Sequence, residues 1–197
     1  MSVKLKKGQR ISLSKESGGL KNVMVGLGWD EAQSGGGFLS IFKSVQNIDC
    51  DASAVLLCDD KLVNNDDVVY YGNLNHMSGC VIHQGDNLTG EGEGDDEQIC
   101  VSLERLPERY NKIVVIVNIY EAKKRSQHFG MINNAFIRIV DTDAGKELCK
   151  YNLTDDYSDV TGVIFGEIYR HGGEWKFGAI GEGVRDDGLG DIIKRFR

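Results

Sequence analysis

"VMVGLGW", residues 23–29, alternates large apolar residues with Met24, Gly26 and Gly28. A period of two is the signature of an extended strand whose apolar face is buried. Further segments with strand character occur along most of the chain, and we predict strands at 53–58, 67–72, 98–103, 112–120, 134–141, 147–152, 162–170 and 174–181. Strands at intervals of about ten residues, joined by turns of Gly, Asp and Asn, predict an all-β protein.

Two segments refine this prediction. "KIVVIVNIY", residues 112–120, is apolar at every position from Ile113 to Val117, as expected for a central strand that is covered on both faces. "YRHGGEWKF", residues 169–177, reads as a hairpin whose turn is supplied by His171 to Glu174.

The fold class that follows is a β-sandwich of two mainly antiparallel sheets with a few short helices. One helix is predicted at the C-terminus, where Leu189, Ile192, Ile193 and Phe196 share one helical face. A second short turn is predicted near Glu121. We expect residues 1–197 to form a single domain, with a long loop at 32–48 that begins in a glycine run.

Composition excludes several classes of protein. The net charge of -7 repels phosphate backbones, so we expect no nucleic-acid partner. No stretch approaches the ~18 apolar residues of a membrane span, and no apolar segment follows "MSVKLKKGQR" as in a secretory signal. Five widely spaced cysteines predict reduced thiols and a cytoplasmic protein that does not insert into membranes.

The segment "GDNLTGEGEGDDE", residues 85–97, carries six carboxylates and four glycines in thirteen positions. Mutual repulsion in a loop pinned between strands costs roughly 2 kcal/mol in physiological salt, which a bound cation would remove. Calcium takes six to eight oxygen ligands, and the glycines allow the backbone to turn its carbonyls inward. The alternative is a solvated acidic loop that only aids solubility.

The loop does not match an EF-hand, because Leu88 stands at the third position and Gly90 at the fifth. A second acidic feature favours a metal. Asp49 and Asp51 in "NIDCDASAVLL" lie on the same side of an extended segment, and Asp30 ends a strand that could share their edge of the sandwich.

Catalytic motifs are missing from the sequence. We find no nucleophile elbow, phosphate-binding loop or zinc-protease helix. Cys80 and His83 have the spacing of half a zinc site, but no second pair at ligand spacing completes it. We therefore predict that the protein is not an enzyme.

The motifs "VGLGWD" (25–30), "DCDASA" (49–54), the acidic loop, "NNAFIRIVD" (133–141) and "FGEIYRHGGEWKFGAIGEG" (165–183) resemble the TerD family of bacterial tellurium-resistance and general stress proteins. The resemblance spans nearly the whole chain in the same order. It departs from the family at Cys50, where a simple apolar residue is usual, and in a longer 32–48 segment.

The resemblance implies a β-sandwich that binds two calcium ions at one edge, without known catalysis. Carried over to this chain, the metal ligands would be Asp30, Asp49, Asp51, Asp86, Asn87, Glu91, Asp95, Asp96 and Glu97. It also implies protein partners, namely tellurium-resistance membrane proteins or sister TerD-like proteins, and membrane association only through them.

Three functions follow from these observations. The first is a calcium-binding stress-response module that acts through protein–protein interaction. The second is a metal-dependent hydrolase that uses the same acidic cluster, for which His83 is the nearest general base in the sequence. The third is an interaction domain that binds no metal.

Overall fold

The structure, a computed structural model, describes residues 2–31, 48–85 and 94–197, with the side chain of Glu31 left out. Within these residues, twelve strands form two six-stranded sheets. The first sheet contains, in spatial order, β1 (Val3–Leu5), β10 (Lys146–Asn152), β9 (Ile132–Asp141), β3 (Asn22–Glu31), β7 (Glu97–Ser102) and β6 (Val81–His83). The second contains β2 (Arg10–Ser12), β12 (Glu174–Val184), β11 (Gly162–His171), β8 (Lys112–Ile119), β4 (Cys50–Leu57) and β5 (Val68–Val69).

Neighbouring described strands are antiparallel apart from β1 and β10, which run parallel. The predicted sandwich of two mainly antiparallel sheets is therefore confirmed. The α-helices of the described residues are one turn long: α1 (Leu13–Glu16), α2 (Ala122–Arg125) and α3 (Leu189–Ile192), which continues as a 3-10 turn, Ile193–Phe196. The predictions of a C-terminal helix and of a turn near Glu121 are confirmed.

Strand β8 explains how the second sheet is held. Ile113, Val115 and Val117 face the first sheet in the main core, whereas Val114 and Ile116 belong to an apolar cluster on the opposite face. The C-terminal helix covers that outer cluster with Ile192 and Ile193. The apolar run of β8 is thus buried on both faces, as the sequence predicts.

The hairpin between β11 and β12 is also confirmed, with His171 paired to Glu174. Gly172 and Gly173 both have positive φ, at 63° and 76°, which suits the two central residues of a type I′ turn.

The structure differs from the predicted strands in two respects. Strands β1 and β2 are missing from the sequence-based assignment, because three-residue strands are too short to show a period. The segment predicted at 67–72 forms a strand only at Val68–Val69, because reciprocal hydrogen bonds between Tyr70 and Asn73 close a tight turn at once. Of the predicted loop, residues 32–47 lie outside the described residues, and the prediction of a single domain stays a prediction.

An irregularity in β3 positions the candidate site. The register between β3 and β9 shifts between Gly28 and Asp30, and the pairing of β3 with β7 ends at Leu27. The backbone N–H of Trp29 donates instead to Oδ2 of Asp96, at 2.7 Å. A strand irregularity thus fixes Asp96, a predicted ligand, at the end of β3.

Candidate metal site

Six of the nine predicted ligands lie in the described residues. They lie at or beside three strand ends: Asp30 in β3, Asp49 and Asp51 at the start of β4, and Asp95, Asp96 and Glu97 at the start of β7. Asp86, Asn87 and Glu91 lie outside the described residues.

Four of these carboxylates act electrostatically on the first residue of β4. Burial raises the pKa of the Cys50 thiol well above its usual value, and the negative charges of Asp51, Glu97, Asp49 and Asp96 raise it further. These four charges therefore lie near enough to Cys50 to act on its thiol. Cys50 itself is fully buried in the main core, so it occupies its position as a small apolar residue would.

Glu97 connects the two sheets at this edge. Its Oε2 accepts a hydrogen bond of 2.5 Å from the backbone N–H of Ala52 in β4, although Glu97 itself belongs to β7. Both residues are buried. A charge-assisted hydrogen bond of this kind holds the end of the acidic segment against the start of β4.

His83 lies beneath Glu97 at the end of β6. Its Nδ1 accepts a 3.2 Å hydrogen bond from the backbone N–H of Gly85, so in a neutral ring the proton is on Nε2. Nε2 lies 3.5 Å from Oε2 of Glu97, and neither side chain is exposed. The imidazole therefore contacts both ends of the 85–97 segment.

Asp30 and Asp96 form a second acidic pair. Burial and the charges of Asp30 and Asp95 raise the pKa of Asp96, against the lowering effect of the hydrogen bond from Trp29. Asp30 accepts a 2.7 Å hydrogen bond from the side chain of Asn134. Asp30 and Asp96 both line a cavity of about 510 Å³, whose wall also includes Trp29 and Lys150. Repulsion between the two carboxylates is the kind of strain that a cation relieves.

Asp49 and Asp51 differ in their surroundings. Asp51 is buried on the outer face of β4, opposite Asn118 in β8. Asp49 precedes the strand, and its carboxylate lies 3.8 Å from Nη1 of Arg125. Its backbone oxygen accepts a 2.7 Å hydrogen bond from Tyr120.

Asp95 has a different partner. Its two carboxylate oxygens accept hydrogen bonds from Nε and Nη2 of Arg138, at 2.7 and 2.9 Å, and Gln98 adds a third at 3.2 Å. The Asp95 side chain is fully buried. Asp95 thus forms a structural ion pair with Arg138. The other five described candidates lie at or beside the strand ends of the acidic edge.

The residue types at this edge fit a hard cation, because they offer carboxylate oxygens in a partly buried setting. The described residues do not complete a site: no group of three His, Cys, Asp or Glu side chains among them is arranged to hold a metal ion. The predicted ligand set, three members of which lie outside the described ranges, therefore stays a prediction.

Sequence reasoning missed His83 and Arg138 as supports of the acidic segment. His83 has a local signal, since it precedes the first glycine of the segment by two residues. Arg138 has none, because it meets Asp95 across a separation of 43 residues that only the sheet pairing brings together.

Comparison with known proteins agrees with this architecture. The sequence-family model of the TerD domain matches residues 1–196 of this chain. The chain belongs to the TerD family. It is 52% identical to the stress response protein SCP2 of Bacillus subtilis, with all of both chains covered. It is 47% identical to the tellurium resistance protein TerD of Serratia marcescens, covering all of this chain and 97% of that protein.

Two solved structures share the fold of this TerD-family chain. One is a protein of unknown function, with a TM-score of 0.68 and 24% identity over 91% of this chain and 99% of that one. The other is a Streptomyces coelicolor homologue of the telluride resistance protein TerD, with a TM-score of 0.61 and 23% identity over 86% of this chain and 93% of that one. In the described part of this chain, no helix is long and apolar enough to cross a membrane.

Proposed function

We propose that this TerD-family protein is a calcium-binding stress-response module, in which two calcium ions bind at the acidic edge and order a surface for protein partners. The observation that supports the proposal best is the hydrogen bond from Ala52 to Glu97, which joins the start of β7 to the start of β4. Residues from separate strands bring like charges together there. Such an arrangement is unfavourable unless a cation balances it.

The ligands proposed to come from the described residues are Asp30, Asp49, Asp51, Asp96 and Glu97, with Asp95 as a further candidate. The remaining ligands would be Asp86, Asn87 and Glu91 from the acidic segment. Calcium is favoured over magnesium because it accepts more oxygen ligands and a less regular geometry. When bound, the ions would supply charge neutralisation, and the protein residues would supply oxygen ligands and hold them at one edge.

Calorimetric titration tests this proposal. The protein is stripped with chelator, desalted and titrated with calcium, and we expect saturable binding of two ions. At a calcium concentration 100 times the dissociation constant, one site stabilises the fold by about 2.7 kcal/mol, which raises the melting temperature by roughly 5–11 °C. Absence of binding heat together with an unchanged melting temperature would refute the proposal.

A pair of variants controls for nonspecific charge. Asp86→Asn removes a proposed ligand, whereas Glu93→Gln removes the same charge from a residue of the same segment that is not among them. We expect the first to lose at least one of the two binding events and the second to retain both. Equal losses would indicate screening of the loop as a whole.

We infer that the acidic edge does not catalyse hydrolysis. His83 is fully buried, and its two ring nitrogens face Gly85 and Glu97, so the imidazole has no access to a substrate. A panel of phosphoesters assayed with calcium, magnesium and manganese tests this inference. Turnover that Asp86→Asn abolishes would favour the hydrolase instead.

We propose a cytoplasmic location and protein partners: tellurium-resistance membrane proteins or sister TerD-like proteins. The five cysteines are all free, as expected in a reducing compartment. Tagged protein isolated from cells with calcium or with chelator, followed by mass spectrometry, tests the partners. We expect such proteins to be enriched in the calcium sample, and the proposal fails if the two samples contain the same proteins.

A further inference from the structure

A groove lies on the outer face of the second sheet, and Asp51 is the one described calcium-ligand candidate that lines it. It lies between the ends of β4 and β8, the turn after β5 and the start of α3, and its volume is about 640 Å³. Tyr70, Tyr71 and Tyr120 line it. A volume of this size suits a small ligand or one side chain of a partner. We call it the tyrosine groove.

The three rings form a connected aromatic wall. Tyr70 and Tyr71 meet edge to face with centroids 5.2 Å apart, and Tyr71 meets Tyr120 in the same way at 6.3 Å. Tyr71 is 44% exposed and Tyr120 37% exposed, so solvent reaches the wall. Edge-to-face contacts hold the three rings in fixed relative orientations.

The wall includes buried polar side chains as well. Asp51 and Asn118 are cross-strand partners in β4 and β8, with exposures of 3% and 5%, and both line the groove. Oδ1 of Asn118 has no hydrogen-bond partner among the described residues. A buried carbonyl oxygen in a groove favours a ligand that donates N–H groups.

The charge of the groove favours a cation. Asp51, Glu121 and Asp187 line it, against the single cation Arg197 among its described lining residues. Glu121 pairs with Lys124 and Asp187 with Lys123, but these pairs are at the surface and hold their carboxylates weakly.

One of the three rings is already in contact with a guanidinium group of the protein itself. The guanidinium carbon of Arg125 lies 5.1 Å from the ring centroid of Tyr120, although Arg125 does not line the groove. A guanidinium is planar, stacks on aromatic faces and donates N–H groups in its plane. It therefore matches both the tyrosine wall and the carbonyl oxygen of Asn118.

We propose that the tyrosine groove binds a guanidinium group, which stacks on the tyrosines and donates hydrogen bonds to Asn118. The group would belong to a free small molecule or to an arginine of a partner protein. This goes beyond the proposed calcium site, because its main determinants are aromatic rings and an amide.

Calorimetry with defined probes tests the proposal. The probes are agmatine, a peptide with one arginine and blocked ends, and citrulline, whose urea group has a similar shape without the charge. We expect agmatine or the peptide to bind saturably and citrulline not to bind. Agmatine alone would identify a free small molecule, and the peptide alone a partner's arginine. If neither guanidinium binds, or if citrulline binds equally, the proposal is overturned.

Variants assign the binding to the groove. Tyr120→Leu should weaken binding about tenfold, within the roughly 2- to 30-fold range of a cation–aromatic contact. Asn118→Leu should weaken binding at least about tenfold, because it removes a hydrogen bond to a charged group. The matched control is Tyr169→Leu, because Tyr169 also has an arginine 5.8 Å from its ring, Arg10, but does not line the groove. Equal weakening by the control would overturn the proposal. Melting curves identify any variant that fails to fold. In that case Tyr120→Phe must retain guanidinium binding and Tyr71→Leu must weaken it. The opposite result overturns the proposal.

A further variant separates this proposal from the calcium site. Asp86→Asn removes a proposed calcium ligand, whereas the groove is defined by its described lining residues, Tyr70, Tyr71, Asn118 and Tyr120 among them. We expect it to weaken calcium binding and leave guanidinium binding within about twofold of the original, as for two independent sites. Loss of guanidinium binding in Asp86→Asn would mean that the probe responds only to the acidic edge, and the proposal would fall.

Discussion

Arg138→Met should destabilise the protein by about 3 kcal/mol, because it leaves the buried carboxylate of Asp95 without its guanidinium. The two groups form a bidentate pair with distances of 2.7 and 2.9 Å, and the Asp95 side chain is not exposed at all. Breaking a buried pair costs about 3–5 kcal/mol, and the 31% exposure of Arg138 places this one at the lower end. The melting temperature should fall by roughly 6–12 °C.

Urea unfolding in the presence of chelator measures this loss without any contribution from metal. The exposed Arg185 supplies the control, since Arg185→Met should change the free energy of unfolding by no more than about 0.5 kcal/mol. A double-mutant cycle with Asp95→Asn isolates the pair, and we expect a coupling free energy of about 2 kcal/mol. A loss below about 1 kcal/mol, or additive effects of the two substitutions, would show that Arg138 does not hold Asp95.

Three further predictions concern stability and the acidic edge. Gly26→Ala would place its Cβ 2.3 Å from Oδ2 of Asp95, so the free energy of unfolding in urea should fall by about 2 kcal/mol. Gly18→Ala has open space around it and should cost far less. Equal effects of the two substitutions would contradict the contact. Asp96→Asn should melt no lower than the original protein in chelator, since it removes a charge that Asp30 and Asp95 repel. It should nevertheless bind calcium more weakly in calorimetry. Unchanged calcium affinity would exclude Asp96 as a ligand. The pKa of Asp141 is lowered because hydrogen bonds to its carboxylate outweigh the effect of burial. Its contribution to stability is therefore present above about pH 4 and lost below it. The difference in unfolding free energy between the original protein and Asp141→Asn should shrink on acidification, and a constant difference would contradict this linkage.

The sequence predicts the sandwich because its strongest patterns are local. The alternation in 23–29 and the two-sided apolar run of β8 each determine burial from neighbouring residues alone. The Gly172–Gly173 turn is equally local, since both residues must adopt a positive φ. Strands of three residues contain too little sequence for such a pattern, which explains why β1 and β2 escape prediction.

The candidate site is predictable only in part, because its geometry depends on contacts that are distant in sequence. The spacing of Asp49 and Asp51 predicts that both lie on one side of an extended segment, but the hydrogen bond from Ala52 to Glu97 requires the two sheets to be packed. The hydrogen bond from Trp29 to Asp96 requires the register shift in β3, which leaves no mark in the sequence. Nothing in the alternation of β9 indicates that Arg138 pairs with Asp95.

The central claim is that calcium balances the carboxylates at one edge of the sandwich. A crystal structure of the calcium-loaded protein, with anomalous difference maps, tests it most directly. The account predicts two peaks at this edge, each with six to eight oxygen ligands at about 2.3–2.6 Å that include carboxylates of Asp49, Asp51, Asp96 or Glu97. Maps at saturating calcium without a peak beside these carboxylates, or with calcium only at other surface acids, would contradict it.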